Sequence, residues 1–302
     1  MNQRFLEDLS EKFADLEILQ DEPLSRHTTF RIGGPADCFV SPDERQLPAI
    51  LQMAGEYKIP CTIIGNGSNL LVGDKGIRGI VIEIGRNMES VEIEENRLKI
   101  GAGTILGRAA QLAAEAALGG MEFAAGIPGS LGGAVVMNAG AYGGEMKDIL
   151  LSARVLTTDG QILELDREQL DLSYRHSCIC DKNYIVISAV VELERKPQEE
   201  IRALMADLRN RRIDKQPLEY PSAGSTFKRP EGFFAGKLIE DAGLRGYSVG
   251  GAQISEKHCG FVINKDKATA ADVLQLIRDV QDRVFDKFKV RLEPEVRMIG
   301  EF

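Results

Sequence analysis

The sequence lacks any run of apolar residues that approaches the roughly 18 needed for a membrane-spanning helix. We also expect no export signal, because the residues MNQRFLEDLSEKF carry acidic side chains where a signal peptide has an apolar run. Basic residues are outnumbered by acidic ones, and the net charge is −9 at pH 7. Such a chain is a poor match for nucleic acid or an anionic membrane. We therefore expect no membrane span and no nucleic-acid partner.

Cysteine and histidine are also few. The five cysteines are an odd number without CxxC spacing, and there are only three histidines. In the absence of an export signal we expect reduced thiols in the cytoplasm. The scattered Cys and His positions match no metal-site pattern. The sequence therefore predicts a cytoplasmic protein without a metal centre.

The 302 residues suit two or three domains of mixed secondary structure. Apolar residues at helical spacing predict helices at 3–16, 43–57, 105–117 and 198–212, and a long last helix after residue 269. Alternating or continuous apolar runs predict strands on both sides of a Gly-Gly turn in 29–40, and at 61–64, 79–84, 183–194 and 290–300. Hairpins are predicted to turn at Glu95–Asn96 and, by a two-residue type I′ turn, at Asp159–Gly160. The mixture predicts an α+β fold.

Caps and faces of some helices can also be predicted. Thr104 and Thr269 each precede a helical pattern and are expected N-caps. In residues 198–212 the apolar side chains expected on one buried stripe are Ile201, Leu204, Met205 and Leu208. Charge rises sharply at residues 194–200, which indicates a domain boundary just before this helix.

Two segments are unusually rich in glycine. GNGSN (65–69) follows a predicted strand, and GIPGSLGGAVVMNAGAYGG (126–144) contains seven glycines and almost no charge. Leu70 stands where a Rossmann fingerprint has its third glycine, and no GxxxxGK[ST] loop occurs, so neither a Rossmann fold nor a P-loop is favoured. Gly and Asn do allow successive N–H groups to converge on an anion. We expect the two segments to hold one extended cofactor. The alternative is that 65–69 is only a tight turn and that the glycines of 126–144 only allow close packing.

Seven motifs follow one another along nearly the whole chain. They are HTTFRIGGPAD (27–37), IIGNGSNLLVGDKGIRG (63–79), GIPGSLGGAVVMNAGAYGGE (126–145), LSYRHS (172–177), GSTFKRP (224–230), GKLIEDAGLRGYSVGGAQISEKHCGFVIN (236–264) and LEPEVRMIG (292–300). On these motifs the sequence resembles the UDP-N-acetylenolpyruvoylglucosamine reductase family, flavin enzymes that make UDP-N-acetylmuramate for peptidoglycan.

The resemblance implies an FAD-binding module of two α+β subdomains, of the vanillyl-alcohol-oxidase (PCMH) type, followed by a C-terminal α+β domain that binds substrate. The expected boundaries are 1–80, 81–197 and 198–302. FAD is expected to bind non-covalently. The residues expected to contact it are Gly65, Asn66, Gly67, Ser68, Asn69, Gly126, Gly129, Ser130, Gly133, Gly140 and Ala141.

The resemblance also implies that NADPH reduces the flavin and that the vinyl carbon of UDP-N-acetylglucosamine enolpyruvate then receives a hydride. Negative charge develops on the α carbon and its carboxylate, and the α carbon must be protonated. The family pattern assigns Arg175 to this charge, Ser225 to proton donation and Glu295 to a third catalytic role. The basic residues expected to bind substrate are Lys215, Lys228 and Arg229.

Each catalytic candidate also has an ordinary structural interpretation. Arg175 suits a surface ion pair near a strand end, Ser225 suits a turn or cap, and Glu295 suits a pair with Arg297. Basic residues in 209–217 also suit the end of a helix. Two other functions therefore stay open, namely a flavin oxidase of the same superfamily and a non-catalytic nucleotide-binding module.

The sequence departs from one branch of the family. That branch has a Phe two places after the YRxS motif, where Ile179 stands here, and an inserted tyrosine loop for which this chain has no room. We therefore expect the shorter branch, in which the group that clamps the nucleotide end of the substrate stays open. A monomer or weak oligomer is expected.

Overall fold

The computed structural model describes residues 2–302 and contains both helices and strands. The α-helices are α1 (Gln3–Lys12), α2 (Gln46–Glu56), α3 (Leu106–Glu115), α4 (Leu131–Val136), α5 (Met146–Ile149), α6 (Cys178–Lys182), α7 (Gln198–Lys215), α8 (Ala235–Asp241) and α9 (Ala270–Phe288). Short 3-10 turns cover Leu24–Arg26, Arg86–Met88 and Glu122–Ala124. No helix within residues 2–302 combines the length and the apolar character needed to cross a membrane.

The strands are spread along the whole chain. They are β1 (Ile18–Pro23), β2 (Pro35–Val40), β3 (Cys61–Ile64), β4 (Leu70–Val72), β5 (Ile77–Glu83), β6 (Val91–Glu94), β7 (Arg97–Gly101), β8 (Leu118–Gly119), β9 (Gly140–Ala141), β10 (Gly144–Glu145), β11 (Leu150–Leu156), β12 (Ile162–Asp166), β13 (Ile185–Glu192), β14 (Glu194–Arg195), β15 (Ser222–Ser225), β16 (Ser248–Val249), β17 (Ala252–Ile254), β18 (Phe261–Asn264) and β19 (Arg297–Ile299).

These strands form three larger sheets and three short pairs. Strand orders in the larger sheets are β12-β11-β13-β7-β6, β15-β18-β17-β16 and β1-β2-β5-β3. The first two are antiparallel, whereas β3 and β5 run parallel in the third. The short pairs are β9–β10, β8–β14 and the parallel pair β4–β19.

The chain divides into two compact units, and each unit is made of three segments. Unit 1 comprises the residues up to 18, residues 39–66 and residues 80–212. Unit 2 comprises residues 19–38, 67–79 and 213–302. The division into domains at residues 80 and 197 stays a prediction.

Unit 1 is organised around β13, the middle strand of its five-stranded sheet. Val186, Ile187, Ser188 and Ala189 are buried consecutively in this strand, as expected for a strand that is covered on both faces. Strands β11 and β7 flank it, and helix α4 packs against β13 and β7. The glycine-rich segment therefore lies directly on the buried sheet of this unit.

Unit 2 has α9 at its core. The Thr269 Oγ1 accepts a hydrogen bond from the main-chain N–H of Asp272, and the Asp272 carboxylate accepts one from Thr269, so a complete capping box begins the helix. Its apolar stripe is fully buried, at roughly 1.5–3 kcal/mol for each large side chain removed from water. The helix packs on β16, β17 and α8. The predicted N-cap of this helix, Thr269, is confirmed.

Several local predictions are wrong in detail. Helix α1 ends at Lys12 rather than near residue 16, and residues 29–34 form no strand. The Asp159–Gly160 hairpin has a five-residue loop, since Leu156 pairs with Ile162. Within that loop Thr157 Oγ1 accepts from the Gln161 N–H at 2.9 Å, which replaces the expected two-residue turn.

Two further errors concern helix ends and faces. Thr104 does not cap α3, because Ile105 occupies the N-cap position and the Thr104 hydroxyl donates to the Ser90 carbonyl at 3.1 Å. In α7 only Ile201 of the expected stripe is buried, and Leu204 is exposed. The Thr104 hydroxyl has an acceptor 14 residues away in sequence, and Leu204 is exposed although its spacing predicts burial, so the local pattern was misleading in both cases.

Candidate active site

The GNGSN segment is shaped by close packing at Gly67. This glycine has φ +59°, and a Cβ placed on it would overlap the main-chain carbonyl oxygen of His27. Its own carbonyl accepts a hydrogen bond from the Thr29 N–H at 3.2 Å. Glycine is therefore required here by the backbone conformation and by the neighbouring carbonyl.

In unit 1 the start of GNGSN lies against the second glycine-rich segment. The Asn66 Nδ2 donates to the Pro128 carbonyl at 2.6 Å. A Cβ on Gly65 would lie 2.8 Å from the Ser130 Oγ. Residues 65–66 and 128–130 thus form one surface and can contact the same part of a bound molecule.

Ser130 stands out on this surface because its hydroxyl is unused. The residue is 2% exposed, and within residues 2–302 its Oγ has no hydrogen-bond partner. Its neighbours fix its backbone, since Leu131 N–H donates to Thr104 at 2.8 Å and the Gly129 carbonyl accepts from Leu106 at 3.0 Å. Buried hydroxyls normally have a partner, so an acceptor from outside the chain suits this position.

The other glycines of 126–144 are divided between packing and open space. A Cβ on Gly132 would lie 3.1 Å from Ala102, and a Cβ on Gly140 would lie 2.7 Å from Glu145. These two glycines therefore allow close packing. At Gly133 a Cβ would meet only the Ser130 Oγ, at 3.9 Å. Gly140 and Ala141 lie in β9, which pairs with β10 across a turn. The open backbone at Gly133 and the unpartnered Ser130 together fit the expected FAD.

Arg212 near the end of α7 was missed by sequence reasoning. Its guanidinium lies against Gly126, where a Cβ would be 3.0 Å from Nη1 and 3.3 Å from Cζ. Its Nε is buried and, among the described residues 2–302, has no hydrogen-bond partner. A second unused donor therefore lies beside the same segment. The signal was present in the basic cluster 209–217, from which the sequence prediction selected only Lys215.

Arg175 lies at the tip of a tight turn in unit 1 rather than at the end of a strand. The main chains of Ser173 and His176 exchange two hydrogen bonds of 3.1 Å, and Arg175 between them has φ +56°. Its guanidinium lies over the Tyr174 ring, 5.1 Å from the centroid. Next to the turn, the Ser177 hydroxyl donates to the Val136 carbonyl at 2.8 Å, which ties the turn to the end of α4.

Ser225 and Glu295 are brought together within unit 2. Ser225 ends β15 opposite Phe261 and is exposed, and Thr226 after it accepts a hydrogen bond from the Glu295 N–H at 2.8 Å. The Asn69 Nδ2 donates to the Glu295 carbonyl at 3.0 Å. Two of the three predicted catalytic residues and the end of GNGSN are therefore parts of one hydrogen-bonded cluster.

The predicted substrate-binding residues differ in their surroundings. Lys228 forms an ion pair with Glu293, and its N–H donates to the Glu293 carbonyl at 2.8 Å. Arg229 lies over the Phe234 ring, 4.0 Å from the centroid. Lys215 is exposed at the C-terminal end of α7. Their assignment to substrate stays a prediction.

Two families of known domains match parts of the chain. Residues 36–166 match the family described as FAD binding domain. Residues 216–299 match the UDP-N-acetylenolpyruvoylglucosamine reductase C-terminal domain. The first match contains both glycine-rich segments, and the second contains Ser225 and Glu295. The predicted fold class, an α+β chain with an FAD-binding module before a C-terminal α+β domain, is confirmed.

Relatives match over the full length. The UDP-N-acetylenolpyruvoylglucosamine reductase of Agathobacter rectalis is 60% identical and covers 100% of both chains. That of Clostridioides difficile is 52% identical over 94% of both chains. Among solved structures, the corresponding reductase of Thermus caldophilus superposes with a TM-score of 0.80 at 37% identity, covering 94% of this chain and 98% of its own.

Proposed function

Because the chain belongs to the UDP-N-acetylenolpyruvoylglucosamine reductase family, we propose that it reduces UDP-N-acetylglucosamine enolpyruvate to UDP-N-acetylmuramate, with FAD as cofactor and NADPH as reductant. The product belongs to peptidoglycan precursor synthesis. The observation that carries the proposal is that similarity to reductases extends over the whole of both chains and therefore includes every predicted motif.

When bound, FAD would supply the hydride chemistry that links the nicotinamide to the vinyl carbon of the substrate. The residues that would hold it are those of the surface formed by 65–66 and 128–130, with the Ser130 hydroxyl as a donor. Main-chain groups at Gly129 and Gly133 lie on the same segment, and the lack of a side chain at Gly133 leaves the backbone accessible. The guanidinium of Arg212 adds a positive charge at Gly126.

Arg175 is assigned to the negative charge that develops on the α carbon and carboxylate. Its guanidinium is permanently charged and can donate two parallel hydrogen bonds to a carboxylate. Preorganised donors of this kind stabilise developing charge most when they are held rigidly. The two main-chain hydrogen bonds between Ser173 and His176 provide that rigidity.

Ser225 is assigned to protonation of the α carbon. Its hydroxyl gives a proton to the carbon and is reprotonated from solvent, to which the residue is exposed. Glu295 is held one residue away by the hydrogen bond to Thr226, and we assign it to orienting the reacting groups. Lys228 lies three residues from Ser225, but Glu293 offsets much of its charge unless their ion pair opens.

We assign the binding of the acidic substrate to basic residues of unit 2. Lys215 and Arg229 are the exposed candidates for its phosphates, and Lys228 is the third. We further propose that the protein works in the cytoplasm as a monomer or weak oligomer. All five cysteines are free, as suits a reducing compartment.

The direct test is the colour of the purified protein. We expect a yellow protein whose flavin absorbance is bleached by NADPH under anaerobic conditions and restored by UDP-N-acetylglucosamine enolpyruvate. UDP-N-acetylglucosamine without the enolpyruvyl group is the matched control and should restore nothing. A flavin that NADPH does not bleach, but that an alcohol reduces and oxygen restores, would instead indicate a flavin oxidase. A colourless protein that binds no FAD would indicate a non-catalytic module.

A further inference from the structure

Asn138 is a completely buried amide whose hydrogen bonds join three pieces of unit 1. Its Nδ2 donates to the Glu145 Oε2 at 2.8 Å and to the Ser173 carbonyl at 3.1 Å. Its Oδ1 accepts from the Lys147 N–H at 2.9 Å. Both amide hydrogens and the amide oxygen are therefore used, and no other side chain of similar size supplies this combination.

The bond to Ser173 reaches the turn that carries Arg175. Ser173 and His176 close that turn, and the Ser173 carbonyl accepts from both His176 N–H and Asn138 Nδ2. The turn has only two residues between its closing pair, so a displacement of Ser173 moves Arg175 with it. Asn138 itself belongs to the glycine-rich segment, between α4 and β9.

The backbone of Asn138 is also unusual. Its φ of +40° lies in the left-handed region, which Asn tolerates better than most residues other than glycine. The conformation directs the side chain across to Ser173, 35 residues further along the chain. Packing alone could be satisfied by an apolar residue, but an apolar residue would leave the Lys147 N–H without this acceptor.

We propose that Asn138 is a positioning residue that sets the place of Arg175 relative to the glycine-rich segment. The inference rests on the charge-stabilising role proposed for Arg175. In this arrangement the segment assigned to FAD and the arginine assigned to the substrate are connected through one amide. Asn138 touches neither reacting molecule in this scheme and acts only through the Ser173–His176 turn.

The test compares Asn138→Asp and Asn138→Gly with the wild-type protein in the flavin-bound form. Asp keeps the acceptor but loses both donors and places a carboxylate against Glu145, and Gly keeps the left-handed backbone without the side chain. We expect reoxidation of the reduced flavin by substrate to slow by about tenfold to a hundredfold. Flavin content and the rate of bleaching by NADPH should stay within about twofold of wild type.

Asn183→Gly is the matched control, because Asn183 is also left-handed, at φ +52°, but is exposed and ends α6. It should leave every step unchanged. The decisive measurement adds Asn138→Asp to an Arg175→Lys background. If Asn138 acts through Arg175, adding Asn138→Asp to the Arg175→Lys variant should slow reoxidation by less than about twofold.

The possible outcomes are separable. If Arg175→Lys alone leaves reoxidation unchanged, the role proposed for Arg175 is wrong. If Arg175→Lys slows reoxidation but both Asn138 variants react at the wild-type rate, the positioning role is wrong. Full additivity of the two changes, or equal slowing of bleaching and reoxidation, would also overturn it. If Asn138→Asp does not fold, Asn138→Gly carries the same comparison, and loss of flavin from both variants would mean that Asn138 supports the segment rather than Arg175.

Discussion

The Asn69 side chain donates a hydrogen bond to the main-chain carbonyl of Glu295 at 3.0 Å, and the Arg297 N–H donates back to the Asn69 carbonyl at 2.9 Å. The first of these bonds joins residues that are 226 positions apart in sequence, and both bonds lie within unit 2. Directly beyond them β4 and β19 pair in parallel, from Leu70 with Arg297 onward. The end of GNGSN and the segment of Glu295 are therefore held as one piece.

Asn69→Ala should weaken this connection. Loss of one partly buried hydrogen bond costs about 1 kcal/mol, equivalent to a fall of roughly 2–4 °C in melting temperature. Because Glu295 then loses an anchor, substrate-dependent reoxidation should also slow, and stopped-flow absorbance will measure it. Asn87→Ala removes a side-chain bond to the Ser41 carbonyl at the surface and serves as control. A variant with wild-type melting temperature and rate would show that Asn69 does not anchor Glu295.

Gly67→Ala should destabilise the protein strongly. The new Cβ combines left-handed strain with overlap of the His27 carbonyl, and we expect a loss of about 3 kcal/mol or more in unfolding free energy. Gly232→Ala is the matched control, with φ +74° and open space around the new Cβ, so it should cost only about 1 kcal/mol. Urea unfolding monitored by circular dichroism compares the two. Equal losses would mean that the carbonyl overlap is relieved by movement of His27.

Ser130→Ala should weaken the binding of FAD without lowering the stability of the free protein. The Oγ has no partner within residues 2–302, so its removal should leave the melting temperature of the apoprotein unchanged or slightly higher. If the hydroxyl donates to FAD, the dissociation constant should rise about threefold to tenfold. Flavin fluorescence titration of the apoprotein measures it, with Ser152→Ala, an exposed hydroxyl bonded to Glu164, as control. Unchanged affinity would remove Ser130 from the cofactor site.

Ser225→Ala should affect only one half-reaction. Bleaching of the flavin by NADPH requires no proton at the substrate α carbon and should stay nearly unchanged. Reoxidation by the enolpyruvyl substrate should slow on the order of 10²–10⁴-fold, the usual range for a positioned general acid. Stopped-flow absorbance times both steps in one preparation. If both steps slow equally, Ser225 positions the cofactor or the β15 strand instead of donating the proton.

From the burial of His258 we predict that the free energy of unfolding falls at acidic pH. Burial lowers the pKa of this imidazole, whose Nδ1 accepts from the Gly260 N–H at 3.0 Å. A folded-state pKa below the unfolded value of about 6.5 means that the unfolded chain binds the proton more readily. The contribution is therefore present above about pH 6.5 and is lost as pH falls toward the folded-state pKa.

The measurement is urea unfolding at pH 7.5 and at pH 5.5. His258→Asn should reduce the loss of unfolding free energy between pH 7.5 and pH 5.5. The variant compared with it is His176→Asn, which removes an imidazole ring that contacts Asp181. An unchanged pH dependence in His258→Asn would assign the acid sensitivity to other groups.

Patterns with strong local causes were predicted correctly. The cap of α9 and the hairpin between β6 and β7 at Glu95–Asn96 both depend on residues within a few positions of one another. The prediction for Thr104 was wrong because its hydroxyl bonds to a residue distant in sequence. The prediction for α7 was wrong because Leu204, expected on the buried stripe, is exposed. Thr104 shows this most simply, because either a helix N–H or the Ser90 carbonyl can satisfy its hydroxyl, and sequence does not rank them.

The sequence by itself determined the chemistry available to this protein: which residues recur in motifs, where helices with a strong apolar period form, and that the chain resembles flavin reductases. Only the tertiary structure decided what each glycine does, since the His27 carbonyl occupies the space beside Gly67 whereas Gly133 faces only the Ser130 hydroxyl. It also decided which amides act as connectors, Asn69 to Glu295 and Asn138 to Ser173. The physical reason is that backbone periodicity is a short-range property, while hydrogen bonds and steric contacts join residues that are distant in sequence.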